Sequence, residues 1–189
     1  MGYAIAEAAL DAGHDVVLVS GPVNLARPGN VRFVAAGTSD EMFEVVYRHA
    51  EESDVCVLCA AVADYKPATV SRTKIKKHAD RTSLELIPTR DILESLGQQR
   101  DRTFLLVGFA AETDQIEKNA WEKLRRKNCD VIVANDAHVG MESDENELLV
   151  LFYHGETKRF SSAPKKILAR KLVKIFSNLQ QKRLTKKMW

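Results

Sequence analysis

The stretch Asp54-Val55-Cys56-Val57-Leu58-Cys59-Ala60-Ala61-Val62-Ala63-Asp64-Tyr65 decides the fold. Its apolar run is short and continuous rather than alternating, as expected of a strand covered on both faces. Three runs elsewhere share that character: Val16 to Val19, closed by Ser20-Gly21-Pro22; Phe104 to Phe109; and Val131 to Ala134. Val31 to Ala36 reads as a further strand. Helical patterns lie between them. Ala4, Ile5, Ala8, Ala9 and Ala12 form an apolar stripe ended by Gly13. Thr38-Ser39-Asp40-Glu41 has capping-box spacing ahead of Met42, Phe43, Val45 and Val46. Asp91 to Gln99 and Asp114 to Lys127 continue the series, the second with Glu117 closing its cap.

Buried strands alternating with amphipathic helices predict a Rossmann-like α/β fold, a doubly wound and mostly parallel sheet. The alternation breaks at about residues 66–90. There Lys74-Ile75-Lys76-Lys77 and Leu84-Glu85-Leu86-Ile87 read as two short strands of a small antiparallel excursion from the main sheet. Leu148 to Tyr153 and Lys158 to Phe160 predict a hairpin turning at His154-Gly155. Ser162, with Pro164 in the first turn, opens a last helix carrying Ile167, Leu168, Leu172, Ile175, Phe176 and Leu179. The 189 residues suit one domain, 1–189, with its own core.

Composition excludes several classes. With 28 basic and 26 acidic side chains the net charge is +2, which gives no general reason to expect nucleic acid. The run from Lys182 to Lys187 reads as a solvated basic tail. No apolar stretch approaches the roughly 20 residues that span a bilayer, and no secretory signal is visible, so neither membrane nor export is expected. Three cysteines suit a reducing cytoplasm. Cys56 and Cys59 form C-x-x-C, but three residues apart on a strand they point to opposite faces and cannot easily share a metal. The five histidines are scattered, and no metal-ligand residues are assigned.

In doubly wound sheets ligands sit at the carboxyl ends of the strands. Ala60 to Tyr65 follows such an end, and its small residues let a ligand approach the backbone. Asp64 there could take a ribose hydroxyl or a metal ion, or simply cap a tight connection. The lysines at 74, 76 and 77 fit either a wet edge that resists aggregation or a cationic flap over phosphates. Lys123 and Lys127 lie one turn apart on a stripe with Asn119, with no acid at the adjacent turn, an arrangement tolerable in water and suited to a polyanion. Phe109, in Gly108-Phe109-Ala110-Ala111-Glu112-Thr113, offers a ring at a strand end or a core side chain. Ala134-Asn135-Asp136 ends the next strand. Neither G-x-G-x-x-G nor a Walker A motif is present, so dehydrogenase and ATPase readings lack their main support.

Together these stretches resemble the bacterial phosphopantothenoylcysteine synthetases, usually the carboxyl-terminal half of a bifunctional flavoprotein. The matching segments are Met1 to Ala6, Leu18 to Pro22, Ala60 to Tyr65, Lys74 to Lys77, Asp91-Ile92-Leu93, Val107 to Thr113, Lys123, Lys127 and Ala134 to Asp136. The resemblance implies a ligase that joins 4′-phosphopantothenate to L-cysteine through an acyl-cytidylate, using CTP with Mg²⁺ in coenzyme A biosynthesis. By the same analogy Leu58, Cys59, Ala60 and Asp64 hold the nucleotide, with Phe109 beside it. Lys123 and Lys127 meet the phosphates, and Lys74 acts catalytically from the flap. A homodimer, and fusion to or association with a phosphopantothenoylcysteine decarboxylase, are also implied.

Two departures stand out. The family carries a strand and a loop ahead of the position of Met1, including a Gly-Pro-Thr turn, an Asn and a Ser-Ser-Gly-Lys segment. Their absence here suggests a truncated product, with apolar edges exposed on the neighbouring strands. Thr89-Arg90 replaces a usual Asn-Pro, which affects the backbone contacts from Arg90 through Asp91 and Ile92 to Leu93 and offers Arg90 as a phosphate contact. The alternative reading is a catalytically incompetent nucleotide-binding or oligomerising remnant. A nicotinamide oxidoreductase and a basic nucleic-acid module are weaker rivals.

Overall fold

The computed structural model describes residues 1–76, 81–136 and 144–187. Helix α1 (Gly2–Asp11) leads into β1 (Val17–Ser20), which pairs in parallel with β2 (Arg32–Ala35). Helix α2 (Ser39–Ala50) has the expected capping box, Thr38 accepting from the Glu41 amide and Glu41 answering the Thr38 amide. It delivers the chain to β3 (Val55–Leu58). The excursion follows, β4 (Tyr65–Pro67) pairing antiparallel with β5 (Leu86–Pro88). Then come α3 (Ile92–Gly97), β6 (Leu105–Glu112), α4 (Ile116–Arg126), β7 (Val131–Asp136), the hairpin β8 (Glu145–Phe152) and β9 (Thr157–Pro164), and the helix α5 (Lys165–Lys187).

Strands β3, β6 and β7 are parallel, and β8 and β9 extend that sheet antiparallel. Side chains alternate across it. Leu106, Ile132, Leu149 and Leu151 meet α2, α3 and α4 on one face. Leu105, Val107, Val131, Val133 and Val150 pack against α1 and α5 on the other. This is the doubly wound α/β architecture. Strand β1, however, makes no ladder with β3: the sheet divides into β1–β2 and β3–β6–β7–β8–β9.

Several boundaries differ from the sequence expectation. The excursion pairs at its base, Tyr65 opposite Pro88 and Pro67 opposite Leu86, rather than through the lysine run. Hydrogen bonds from Thr89 to Asp64 and from Ala68 to Glu85 continue that base ladder, whereas Lys74, Ile75 and Lys76 adopt no regular structure; Lys77 lies outside the described residues. Helix α4 begins at Ile116, behind Gln115 in the left-handed region (φ 43°), with no side-chain cap; Glu117 instead reaches Arg159 at 2.5 Å. The last helix starts at Lys165 rather than Ser162, because β8 offers Glu145 and Asn146 as ladder partners to Pro164 and Ala163. Asn135 and Asp136 are the last two residues of β7.

Candidate functional site

Several of the residues singled out from the sequence lie around the carboxyl ends of β3 and β6. Leu58 ends β3 opposite Gly108, so Cys59 emerges beside Phe109. Ala60 and Asp64 follow in an exposed loop. Thr89 fastens that loop from the far side of the excursion: its amide donates to the Asp64 carbonyl at 2.8 Å and its hydroxyl to the Ala63 carbonyl at 2.7 Å. Two residues on, Asp91 caps α3 by accepting from the Glu94 amide at 2.8 Å. Ile92 and Leu93 are buried beneath it.

Helix α4 brings the lysines to the same rim. Lys123 Nζ donates to the Phe109 carbonyl at 2.8 Å. Lys127 is buried, and its Nζ lies 2.7 Å from Asp91 and 2.5 Å from Glu94. The acids missing from its own helix are supplied by α3. Two glycines permit this approach. A Cβ on Gly97 would stand 1.8 Å from the Lys127 carbonyl, and one on Gly108 would stand 2.7 Å from Leu93. Only a bare backbone lets α3 settle against β6 and the end of α4.

Charges at this rim are mutually held. Burial pushes the Asp91 carboxyl up, but the hydrogen bonds from Lys127 and the Glu94 amide, with the charges of Lys127 and Lys123, outweigh it and leave Asp91 below its ordinary value. Burial likewise pulls Lys127 down, and the bonds and charges of Asp91 and Glu94 more than reverse that. Cys59 is pushed up by burial, partly countered by the amino terminus and the Gly2 amide. Burial drives Cys56 and Cys129 to about 12, so these stay neutral thiols.

The remaining residues are distributed differently. The Phe109 ring packs toward α1 and α5, opposite the face that Lys123 covers. Arg90 turns to α2, lying 3.8 Å over the Phe43 ring, 2.8 Å from Glu44 and 3.8 Å from Asp40. Asp40 is also bonded by Lys66, which is the main reason its carboxyl lies below the ordinary value. Lys74 is exposed on the excursion and makes no ion pair among the described residues. Glu94 belongs to the site although the sequence does not single it out, and Thr89, noted there only as a departure from the family's Asn, fastens the Asp64 loop. Glu94 sits three positions after the Asp91 cap, where a carboxylate faces the first turn, and that spacing is the available signal. Among the described residues no group of three His, Cys, Asp or Glu side chains could hold a metal ion. No helix among them is long and apolar enough to cross a membrane.

Comparison with known proteins fits this architecture. The coenzyme A biosynthesis bifunctional protein CoaBC of Haemophilus influenzae is 40% identical over 186 residues, covering 97% of this chain and 46% of that protein. The CoaBC of Bacillus subtilis is 43% identical over 162 residues, covering 84% of this chain and 40% of that protein. The chain thus spans less than half the length of these relatives. The crystal structure of the C-terminal domain of a CoaBC superposes with a TM-score of 0.77 at 37% identity, covering 99% of this chain and 82% of that one. The family model of the DNA/pantothenate metabolism flavoprotein C-terminal domain matches residues 1–179. With that match running from α1 into α5, the chain belongs to the DNA/pantothenate metabolism flavoprotein C-terminal domain family.

Proposed function

We propose that residues 1–189 act as one phosphopantothenate–cysteine ligase domain, working through an acyl-cytidylate formed from CTP. The observation that carries this reading is the convergence of Lys123, Asp91 and the Asp64 loop on one carboxyl rim, tied together by Thr89 and Lys127. In the first step a phosphopantothenate carboxylate oxygen attacks the α-phosphorus of CTP and pyrophosphate leaves. In the second, the cysteine amine attacks the activated carbonyl, loses a proton and releases CMP. Both transition states gather charge on phosphoryl or acyl oxygens, which fixed cations and backbone donors stabilise.

In this reading the backbone from Leu58 to Ala60 meets the pyrimidine and Asp64 a ribose hydroxyl. Lys123 exchanges the Phe109 carbonyl for phosphate oxygens. Lys127, already neutralised by two carboxylates, is a positioning residue that holds Asp91 and the start of α3. Mg²⁺ enters with the triphosphate, as it usually does when a site offers few carboxylates. Lys74 closes from the excursion over the activated intermediate. Six of the twelve large apolar side chains that stand exposed among the described residues lie on that excursion: Tyr65, Val70, Ile75, Leu84, Leu86 and Ile87. Such a concentration suits a dimer interface. A cytoplasmic setting, alongside a decarboxylase activity, completes the proposal.

The test supplies the chain with MgCTP and phosphopantothenate and follows pyrophosphate, then adds cysteine and follows CMP. Pyrophosphate that appears only with phosphopantothenate supports the ligase. One alternative is a nucleotide-binding remnant, in which the rim beside the β1–β3 seam still binds CTP but makes no product. CTP binding without pyrophosphate release would establish that alternative, and failure to bind CTP would overturn both.

A further inference from the structure

Both legs of the excursion are tied to one carboxylate on α2. Lys66, at the centre of the β4–β5 base, bonds Asp40 Oδ2, and Arg90, just past β5, lies 3.8 Å from Oδ1 of the same side chain. Arg90 also reaches Glu44 at 2.8 Å and spreads its guanidinium 3.8 Å over the Phe43 ring. Asp40, Phe43, Glu44 and Tyr47 fall at i, i+3, i+4 and i+7, which is one stripe of the helix. The Phe43 and Tyr47 rings stack along it, their centroids 5.6 Å apart and their planes 15° apart. A guanidinium suits such a stripe because its flat face lies on an aromatic ring while its edge meets carboxylates.

The helix is a firm base for these contacts. Its capping box fixes the first turn, and Met42 and Ala50 are buried in the core beneath it. What it holds is less regular. Asp64 stands two residues before Lys66, in a stretch without regular structure. Arg90 lies between Thr89, whose amide and hydroxyl grip that stretch, and Asp91, which caps α3 and pairs with Lys127. A shift of the excursion base along α2 would therefore move Asp64 from one side and Asp91 from the other. Exposed ion pairs are individually weak, but pairs that share a carboxylate and a stacked ring order their members together.

We infer that Asp40, supported by Glu44 and Phe43, is a positioning residue for nucleotide binding: it clamps the excursion base onto α2 and so sets where the Asp64 carboxylate stands at the rim. The inference rests on the reading that Asp64 meets a ribose hydroxyl of CTP. Asp40 and Arg90 act through the loop, and neither touches the nucleotide.

Asp40→Asn keeps the shape of the side chain and removes the charge that Lys66 and Arg90 share. MgCTP is titrated calorimetrically into this variant, into Asp64→Ala and into the double variant, and amide exchange is followed in each without nucleotide. Asp40→Asn is expected to weaken CTP binding by about three- to tenfold. It should also speed exchange of the Thr89 amide, the donor to the Asp64 carbonyl, by about threefold or more. In the Asp64→Ala background the Asp40 substitution has no further effect on affinity, because the clamp acts through Asp64. A merely structural role would weaken binding equally in both backgrounds, and that result overturns the proposal. So does unchanged exchange at Thr89, or unchanged affinity in Asp40→Asn. Wild-type affinity in Asp64→Ala overturns the nucleotide reading of Asp64 and this inference with it. Exchange at Thr89, measured without CTP, tells that failure from a failure of the clamp.

Discussion

The two sides of the sheet are packed very differently. On one side, β6, β7 and the second half of β8 are buried on both faces, and Leu106, Ile132 and Leu151 expose nothing. On the other, β1, β2 and β3 are half-buried or exposed along most of their length. The candidate site lies at their boundary, at the carboxyl ends of β3 and β6. One half supplies stability; the other supplies backbone and side chains that remain available to a ligand, the usual disposition of binding residues over a rigid scaffold.

A pair of truncations tests that contrast most severely. Leu106→Ala removes a fully buried side chain from the closed half and is expected to cost about 2–5 kcal/mol, read as a lowered urea midpoint. Val19→Ala in the half-buried β1 should cost about 1 kcal/mol. Equal losses would mean that the seam side is as cooperative a part of the core as the closed side, and the contrast would fail.

Lys127→Met sharpens the comparison at the boundary itself. It leaves Asp91 and Glu94 facing an apolar side chain and should cost about 1–3 kcal/mol at neutral pH. The pH dependence has a defined sign. Asp91 has a folded value below its ordinary 3.8, so its contribution is present above that value and disappears as pH falls through the lowered one. Lys127 has a folded value above 10.5, so its contribution is complete below 10.5 and is lost as pH rises through the raised one. The stability gap between the two proteins should therefore be widest between these limits and close in acid. A gap that persists unchanged at low pH would show that the ion pairs with Asp91 and Glu94 do not carry the difference.

Much of the fold is legible in the sequence because its signals are local. Four continuous apolar runs correspond to four strands, and the Thr38 capping box is present as spaced. What escapes depends on contacts distant in sequence. Nothing near Lys127 announces Asp91 and Glu94, because the pair is made by α3 settling with its Gly97 against the end of α4 and with Leu93 against Gly108 of β6. Arg90 resembles a phosphate contact on charge, yet Glu44, Asp40 and the Phe43 ring of α2 engage it. The lysine run of the excursion resembles a strand by composition, while pairing is set at the base by Tyr65 to Pro67. Local pattern predicts an element; which face of it meets which partner is decided by packing.

Lys74 gives the smallest expected change in stability and the most selective one in chemistry. It is exposed, in a segment without regular structure and without an ion pair among the described residues. Lys74→Ala should therefore alter stability by no more than about 0.5 kcal/mol. If Lys74 closes over an acyl-cytidylate, the same substitution slows ligation or lets the intermediate hydrolyse, so that pyrophosphate release outruns formation of the cysteine adduct. Comparing those two products in one reaction separates the roles: a matched fall in both points to binding, an excess of pyrophosphate to lost protection of the intermediate. Wild-type rates for both would remove Lys74 from the mechanism and leave Lys123 as the cation on which the phosphate chemistry rests.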